Sequence, residues 1–155
     1  MLKKERILIV EDDPEVAEVL QWNLFAAGYA VTVVEDGLAA LRAFDDEKPA
    51  LVTIDLNVPT VSGFRLIKLF KRYAPKVPIL VVTALTFEEA EETARVGVED
   101  FITKPFDPYD LLRKIEYFLE RRRLSDAPRP VPLPPPVPPV SVSPSRTRGA
   151  SAEIA

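Results

Sequence analysis

The chain contains neither cysteine nor histidine. Without thiols there is no disulfide framework and no thiolate metal site. Without imidazole there is no Ser-His-Asp triad, no His-ligated zinc and no internal phosphohistidine. Long apolar runs are missing too. The charged start Met1-Leu2-Lys3-Lys4-Glu5-Arg6 leads into only four apolar residues, Ile7 to Val10. That is too short for the hydrophobic region of a signal peptide. Ile79 to Val82 is likewise far short of the roughly 20 residues a membrane span needs. A cytoplasmic location with no membrane partner is the simplest expectation. An excess of basic charge is absent as well. The formal net charge is −4, and a net acidic chain is a poor general binder of nucleic acid. Direct nucleic-acid binding is therefore not expected.

What is present suffices for one globular body. Of 155 residues, 47% are hydrophobic and 28% charged, which allows a single domain with a buried core. Composition changes sharply after Arg123. Residues 125–155 hold nine of the sixteen prolines. Proline lacks a donor N–H and disfavours the α conformation in the residue before it. This stretch is expected to be extended polyproline II, loosening beyond Ser141. The expected division is a folded domain over 1–124 and a proline-rich, disordered tail over 125–155.

Within 1–124, Val/Ile/Leu runs alternate with helical periodicity. Arg6 to Val10, Ala30 to Val34, Leu51 to Ile54, Pro78 to Val82 and Phe101 to Thr103 read as strands. Each is followed by a helical pattern. Val16, Val19, Leu20, Leu24 and, less strictly, Trp22 fall on apolar positions of the first helix. Asp13, Asp36 and Asp107 are suited to cap helices, Pro14 and Pro108 to open them, and Gly28 to end one. Continuous apolar strands suit a parallel sheet covered on both faces, and short strand–helix repeats suit a doubly wound α/β sandwich. In such sheets ligands bind beyond the carboxyl ends of the strands.

The polar residues sit at those ends. The first strand ends in Glu11-Asp12, the third in Asp55, the fourth in Thr83 and the fifth in Lys104. Three carboxylates on one rim repel one another. A hard, oxygen-seeking Mg²⁺ relieves that repulsion. Lys104 offers a point charge and Thr83 a hydroxyl for a phosphoryl group. The set resembles an in-line phosphoryl-transfer site with Asp55 as nucleophile. Singly, each residue has a plainer reading. Glu11 to Asp13 suit an exposed helix start, Asp55 and Thr83 suit turns, and Lys104 suits a solvated surface. The argument rests on their joint placement.

With these motifs in order, the chain resembles the receiver domain of two-component response regulators. The matching segments are Ile7-Leu8-Ile9-Val10-Glu11-Asp12-Asp13-Pro14, Val52-Thr53-Ile54-Asp55-Leu56-Asn57-Val58-Pro59 with Gly63, Val81-Val82-Thr83-Ala84, and Gly97 through Lys104-Pro105-Phe106. The likeness covers residues 5–123. It implies a flavodoxin-like fold, a five-stranded parallel sheet in order 2-1-3-4-5 with five helices in three layers. It implies that Asp55 accepts a phosphoryl group from a histidine kinase or phosphotransfer protein. It also implies that Asp12 ligates Mg²⁺ directly, Glu11 acts through water, and the Asn57 backbone carbonyl completes the protein ligands. Thr83 and Lys104 would bind the phosphoryl group, and Thr83 with Phe101 would form the switch. The Lys104-Pro105 bond resembles one that is cis in the family. Phe101 lacks the phenolic hydroxyl often found at its position. Ser62 stands where the family often has Asp. Leu85, two beyond Thr83, cannot hydrogen-bond an attacking water, which implies a long-lived phosphoryl state.

The expected output is altered protein–protein contact with an unknown downstream protein. A phosphorylation-dependent homodimer through the fourth helix, fifth strand and fifth helix is a further expectation. Only 32 residues follow Arg123, without a helix-turn-helix pattern, so a single-domain switch is expected rather than an enzyme acting on other molecules. Arg121-Arg122-Arg123 resembles the end of receivers joined to winged-helix domains, so a fragment or relic of a DNA-binding regulator is an alternative. So is an unphosphorylated scaffold. A phosphatase with an aspartyl nucleophile would need a second acid two residues on, where this chain has Asn57. Pro132-Leu133-Pro134-Pro135 has PxxP spacing, read either as a docking motif or as a plain spacer.

Overall fold

The computed structural model describes residues 3–84 and 86–128. The expectations about the tail beyond Pro128 and about Leu85 therefore lie outside the described residues. The elements are β1 (Arg6–Val10), α1 (Pro14–Ala26), β2 (Ala30–Val34), α2 (Gly37–Glu47), β3 (Leu51–Ile54), α3 (Gly63–Tyr73), β4 (Ile79–Thr83), α4 (Phe87–Arg95), β5 (Asp100–Thr103) and α5 (Pro108–Asp126). The strands form one parallel sheet in the order β2-β1-β3-β4-β5. This is the expected doubly wound architecture.

Strand alternation divides the core in two. Leu8, Val10, Val52, Ile54 and Val81 face α2 and α3, where Leu66, Ile67 and Phe70 close the layer. Ile7, Ile9, Leu51, Leu80 and Val82 face α1 and α5, against Leu20, Leu24, Leu111, Ile115 and Leu119. Neighbouring residues point to opposite faces because the side-chain period of a strand is two. Each such fully buried side chain stabilises the fold by about 1.5–3 kcal/mol.

Every helix begins just beyond the carboxyl end of a strand, so all five N-caps share one rim. Asp13, Asp36 and Asp107 cap as expected. Ser62 caps α3 through its hydroxyl, and Thr86 and Glu89 form a capping box on α4. The rim is therefore rich in outward N–H groups, which favour negative charge.

The α1 pattern differs from its sequence reading. Its buried residues are Ala17, Leu20 and Leu24. Val19 and Trp22 are exposed, because at 3.6 residues per turn Trp22 lies opposite that stripe. Leu38 in α2 is also exposed.

Two glycines hold the rim together by close approach. A Cβ on Gly63 would lie 2.5 Å from the Leu56 Cα and 2.7 Å from the Asp55 carbonyl oxygen. A Cβ on Gly37 would lie 2.1 Å from the Val61 carbonyl oxygen. Both contacts are with backbone, which cannot swing aside. In an open helix Gly→Ala stabilises by up to about 1 kcal/mol. Here Gly63→Ala is expected to destabilise by about 1–3 kcal/mol through overpacking, read as a lower urea midpoint. A raised midpoint would contradict the close approach.

Candidate functional site

The site is built from four strand ends. β1 delivers Glu11, whose N–H donates to the Val34 carbonyl at 3.0 Å. β3 delivers Asp55, whose N–H donates to the Val10 carbonyl at 2.9 Å. β4 ends in Thr83, and the Lys104 N–H donates to the Thr83 carbonyl at 3.0 Å. Sheet pairing thus fixes the spacing of all four residues. The Lys104-Pro105 peptide is cis.

Asp55 is the centre of the cluster. Its Oδ1 accepts from the Thr83 hydroxyl at 2.9 Å and from the Asn57 N–H at 3.0 Å. Its Oδ2 accepts from the Lys104 ammonium at 2.8 Å. The same ammonium lies 2.8 Å from Glu11 Oε2, in ion-pair range but off hydrogen-bonding angles. Glu11 Oε1 accepts from the Asp13 N–H at 3.1 Å. Glu11, Asp55 and Thr83 are buried, whereas Asp12 is exposed at the mouth.

These contacts set the protonation states. Burial works against ionising Asp55, but the Lys104 ammonium, the Asn57 N–H and the Thr83 hydroxyl together outweigh it. They hold the carboxyl below the usual aspartate range. Burial would lower Lys104, yet its hydrogen bond to Asp55 and its ion pair with Glu11 raise it above an ordinary lysine. Glu11 goes the other way. Burial, and next the charge on Asp55, push it from an ordinary 4.5 to about 7 against the pull of Lys104. One lysine thus neutralises Asp55 well and Glu11 poorly.

The remaining imbalance fits a cation. One carboxylate oxygen each from Glu11, Asp12 and Asp55 lies within 4.8 Å of the others. Glu11 Oε2 is fully buried with no hydrogen-bond partner among the described residues. An all-oxygen set with an orphaned buried carboxylate oxygen suits a hard divalent ion.

Sequence reasoning placed Glu11, Asp12, Asp55, Thr83 and Lys104 together, and the structure brings them together. Asn57 enters through its N–H. Phe101 does not join the cluster. It lies on β5 with 41% of its surface exposed. Two contributors were missed. Gly37 packs on the Val61 backbone and Thr60 ties its hydroxyl to the α2 start, accepting from the Leu38 N–H at 3.0 Å. Asp36, read only as a cap, also accepts from the Thr60 hydroxyl at 3.3 Å. No local sequence signal announces these long-range contacts.

Known proteins resemble this chain in sequence and in fold. The response regulator receiver domain matches residues 7–116. The chain is 32% identical over 123 residues to the alkaline phosphatase synthesis transcriptional regulatory protein PhoP of Bacillus subtilis, covering 78% of this chain and 51% of that protein. It is 36% identical over 116 residues to an uncharacterized 14.6 kDa protein of Leptolyngbya boryana, covering 72% of this chain and 88% of that one. The chain spans about half the length of the transcriptional regulators it matches. Among solved structures, a CheY-like receiver domain protein from Methanospirillum hungatei JF-1 superposes with a TM-score of 0.76 at 27% identity, covering 79% of this chain and 99% of that one. A response regulator from Chloroflexus aurantiacus J-10-fl gives 0.73 at 31% identity, with 77% and 100% covered.

The state of Glu11 has a thermodynamic consequence. Its pKa is higher folded than unfolded, so folding holds its proton more tightly. In metal-free buffer that contribution is fully present below about pH 4.5 and lost as pH rises through about 7. Glu11→Gln, which keeps the neutral form, should therefore gain in melting temperature relative to the unsubstituted protein across that interval. A gap that stays constant with pH would contradict the assignment.

Proposed function

The chain belongs to the response regulator receiver domain family, and from that premise we propose that Asp55 is its phosphoryl acceptor. One observation carries the reading. A buried, ionised carboxylate at the sheet rim has both oxygens held by donors, the Thr83 hydroxyl, the Asn57 N–H and the Lys104 ammonium. The same donors suit the oxygens of a phosphoryl group, so the site is organised before the donor arrives.

In the proposed step, a phosphohistidine on a histidine kinase or phosphotransfer protein enters the rim. An Asp55 carboxylate oxygen attacks phosphorus in line, the P–N bond breaks, and the donor imidazole leaves with its electron pair. Lys104 and Thr83 transfer their bonds from the carboxylate to phosphoryl oxygens. Glu11, Asp12, Asp55 and the Asn57 backbone carbonyl would hold Mg²⁺, which when bound supplies charge neutralisation for the phosphoryl oxygens. The low pKa of Asp55 keeps the nucleophile ionised through the neutral range.

Signalling follows as a population shift. The phosphoryl group adds charge where Lys104 and Thr83 can bond it. Thr83 moves toward it, and Phe101, exposed in this state, turns in behind. The face made by α4, β5 and α5 then changes its affinity for a partner, whether a downstream protein or a second copy. The protein acts as a switch rather than as a catalyst for other molecules. Among the described residues no helix is long and apolar enough to cross a membrane, and a cytoplasmic site of action is part of the same reading.

A second reading concerns output alone. The relatives named as transcriptional regulators are about twice the matched length, which favours a role in controlling a DNA-binding domain. It leaves the phosphoryl chemistry unchanged.

Acetyl phosphate with Mg²⁺ is expected to add one phosphoryl group to the protein, seen by intact mass and lost with hydroxylamine. Asp55→Asn should remain unmodified. Lys104→Ala should slow the reaction by ~10²-fold or more, the usual cost of removing one charge-stabilising donor. Labelling of Asp55→Asn at the normal rate would overturn the assignment.

A further inference from the structure

The loop between β3 and α3 follows directly on Asp55, and one of its residues has an uncommon backbone. Thr60 sits at φ 70°. That is the left-handed region, where a β-branched residue is crowded and glycine is free. Among the described residues one other non-glycine has a positive φ, Lys48 at 50°, and it is the left-handed cap that ends α2. Thr60 ends no helix. A strained residue persists where its surroundings over-determine it, and such residues gather at functional sites.

The surroundings here are the start of α2. The Thr60 hydroxyl accepts from the Leu38 N–H at 3.0 Å and donates to Asp36 Oδ1 at 3.3 Å. The same Oδ1 accepts from the Ala39 N–H at 2.8 Å. The Gly37 N–H donates to the Pro59 carbonyl at 2.9 Å. The first N–H groups of a helix have no partner within it. In α2 two of them, on Gly37 and Leu38, are satisfied by the β3–α3 loop from across the fold. A glycine at position 60 would relax the backbone but leave the Leu38 N–H without this partner. Thr60 and Leu38 are both exposed, and hydrogen bonds in such places add little to stability. They offset the strain of Thr60 rather than exceed it. What they secure is a fixed loop.

The same loop begins at the phosphoryl site. The Asn57 N–H donates to Asp55 Oδ1 at 3.0 Å. Leu56 and Val58, on either side of Asn57, are buried in the layer beneath α2 and α3. The Leu56 carbonyl accepts from the Gly63 N–H at 3.1 Å. The loop is thus fastened to α3 at its base and to α2 at Pro59 and Thr60. The Asn57 peptide lies between the two fastenings.

We propose that Thr60 is a positioning residue for the Asp55 site. Clamped to the start of α2 through its hydroxyl, it holds the β3–α3 loop so that the Asn57 peptide stays on Asp55. This rests on the reading of Asp55 as phosphoryl acceptor and of the Asn57 carbonyl as a ligand for Mg²⁺. Among the described residues the side-chain hydrogen bonds of Thr60 go to the start of α2 alone, so it acts through the loop and not on the reacting groups. The consequence is preorganisation. An oxygen ligand held in place beforehand needs no ordering when the cation binds. With the clamp released, that ordering accompanies Mg²⁺ binding and weakens it.

Three proteins test this: unsubstituted, Thr60→Gly and Thr60→Ser, each prepared metal-free. Thr60→Gly removes the hydroxyl and the backbone strain together, whereas Thr60→Ser keeps the hydroxyl. The readouts are the urea midpoint, amide hydrogen exchange at Asn57, and the Mg²⁺ Kd by titration calorimetry. In Thr60→Gly the midpoint should be unchanged or raised. Its Asn57 amide should exchange faster and its Mg²⁺ Kd should weaken, each by about fivefold, the equivalent of one ordinary net hydrogen bond. Thr60→Ser should track the unsubstituted protein in both. A purely structural role would lower midpoint and affinity together, and that result would overturn the proposal. Unchanged Mg²⁺ affinity in Thr60→Gly would overturn it too, as would a Thr60→Ser no closer to the unsubstituted protein than Thr60→Gly. Acetyl phosphate labelling of the unsubstituted protein tests the underlying reading separately. Absence of label at Asp55, or a flat Mg²⁺ titration, defeats that reading and this one with it. Label at Asp55 with equal Mg²⁺ affinity in Thr60→Gly defeats this one alone.

Discussion

The placement of the Lys104 ammonium, 2.8 Å from both Asp55 and Glu11, is the constraint on which the rest of the site depends. Two carboxylates in a buried rim would repel each other and resist desolvation. One ammonium between them makes the arrangement tolerable without cancelling it. Asp55 receives a well-aligned bond and stays ionised. Glu11 receives a poorly aligned contact and is left with a raised pKa and an orphaned oxygen. The same asymmetry separates the roles: an acid ready to act as nucleophile beside an acid that its ammonium contact compensates only in part. The exposed Asp12 completes the oxygen set at the mouth.

That geometry needs a rigid frame, and the sheet provides it. Glu11, Asp55 and Lys104 are each the first residue after a strand, and each is tied by its N–H to a neighbouring strand. Their relative positions follow from backbone pairing rather than from side-chain freedom. Gly37 and Gly63 then let the loops after β2 and β3 press together at distances a Cβ would forbid. Five capped helix starts around the rim add a favourable field for anions.

Much of this was legible in the chain. Val/Ile/Leu runs followed by helical periodicity imply parallel strands. Parallel strands place Glu11, Asp12, Asp55, Thr83 and Lys104 on one edge, and Asp13, Asp36 and Asp107 were readable as caps from local chemistry alone. What stayed hidden depends on distance across the fold. No spacing reveals that Lys104 spans two carboxylates, or that Gly37 meets Val61. Ser62 looked like a departure from a family pattern, yet it performs the α3 cap. Periodicity puts Val19 and, less strictly, Trp22 on apolar positions of α1, but the helix turns both outward.

The central claim is that phosphoryl chemistry belongs to Asp55 and not to its acidic neighbours. Borohydride reduction of the phosphorylated protein converts an aspartyl phosphate to homoserine, which peptide sequencing by mass spectrometry can locate. The account predicts homoserine at position 55 alone. Reduction at Asp12 or Asp13, or a phosphoryl group on a serine or threonine that borohydride leaves intact, would contradict it.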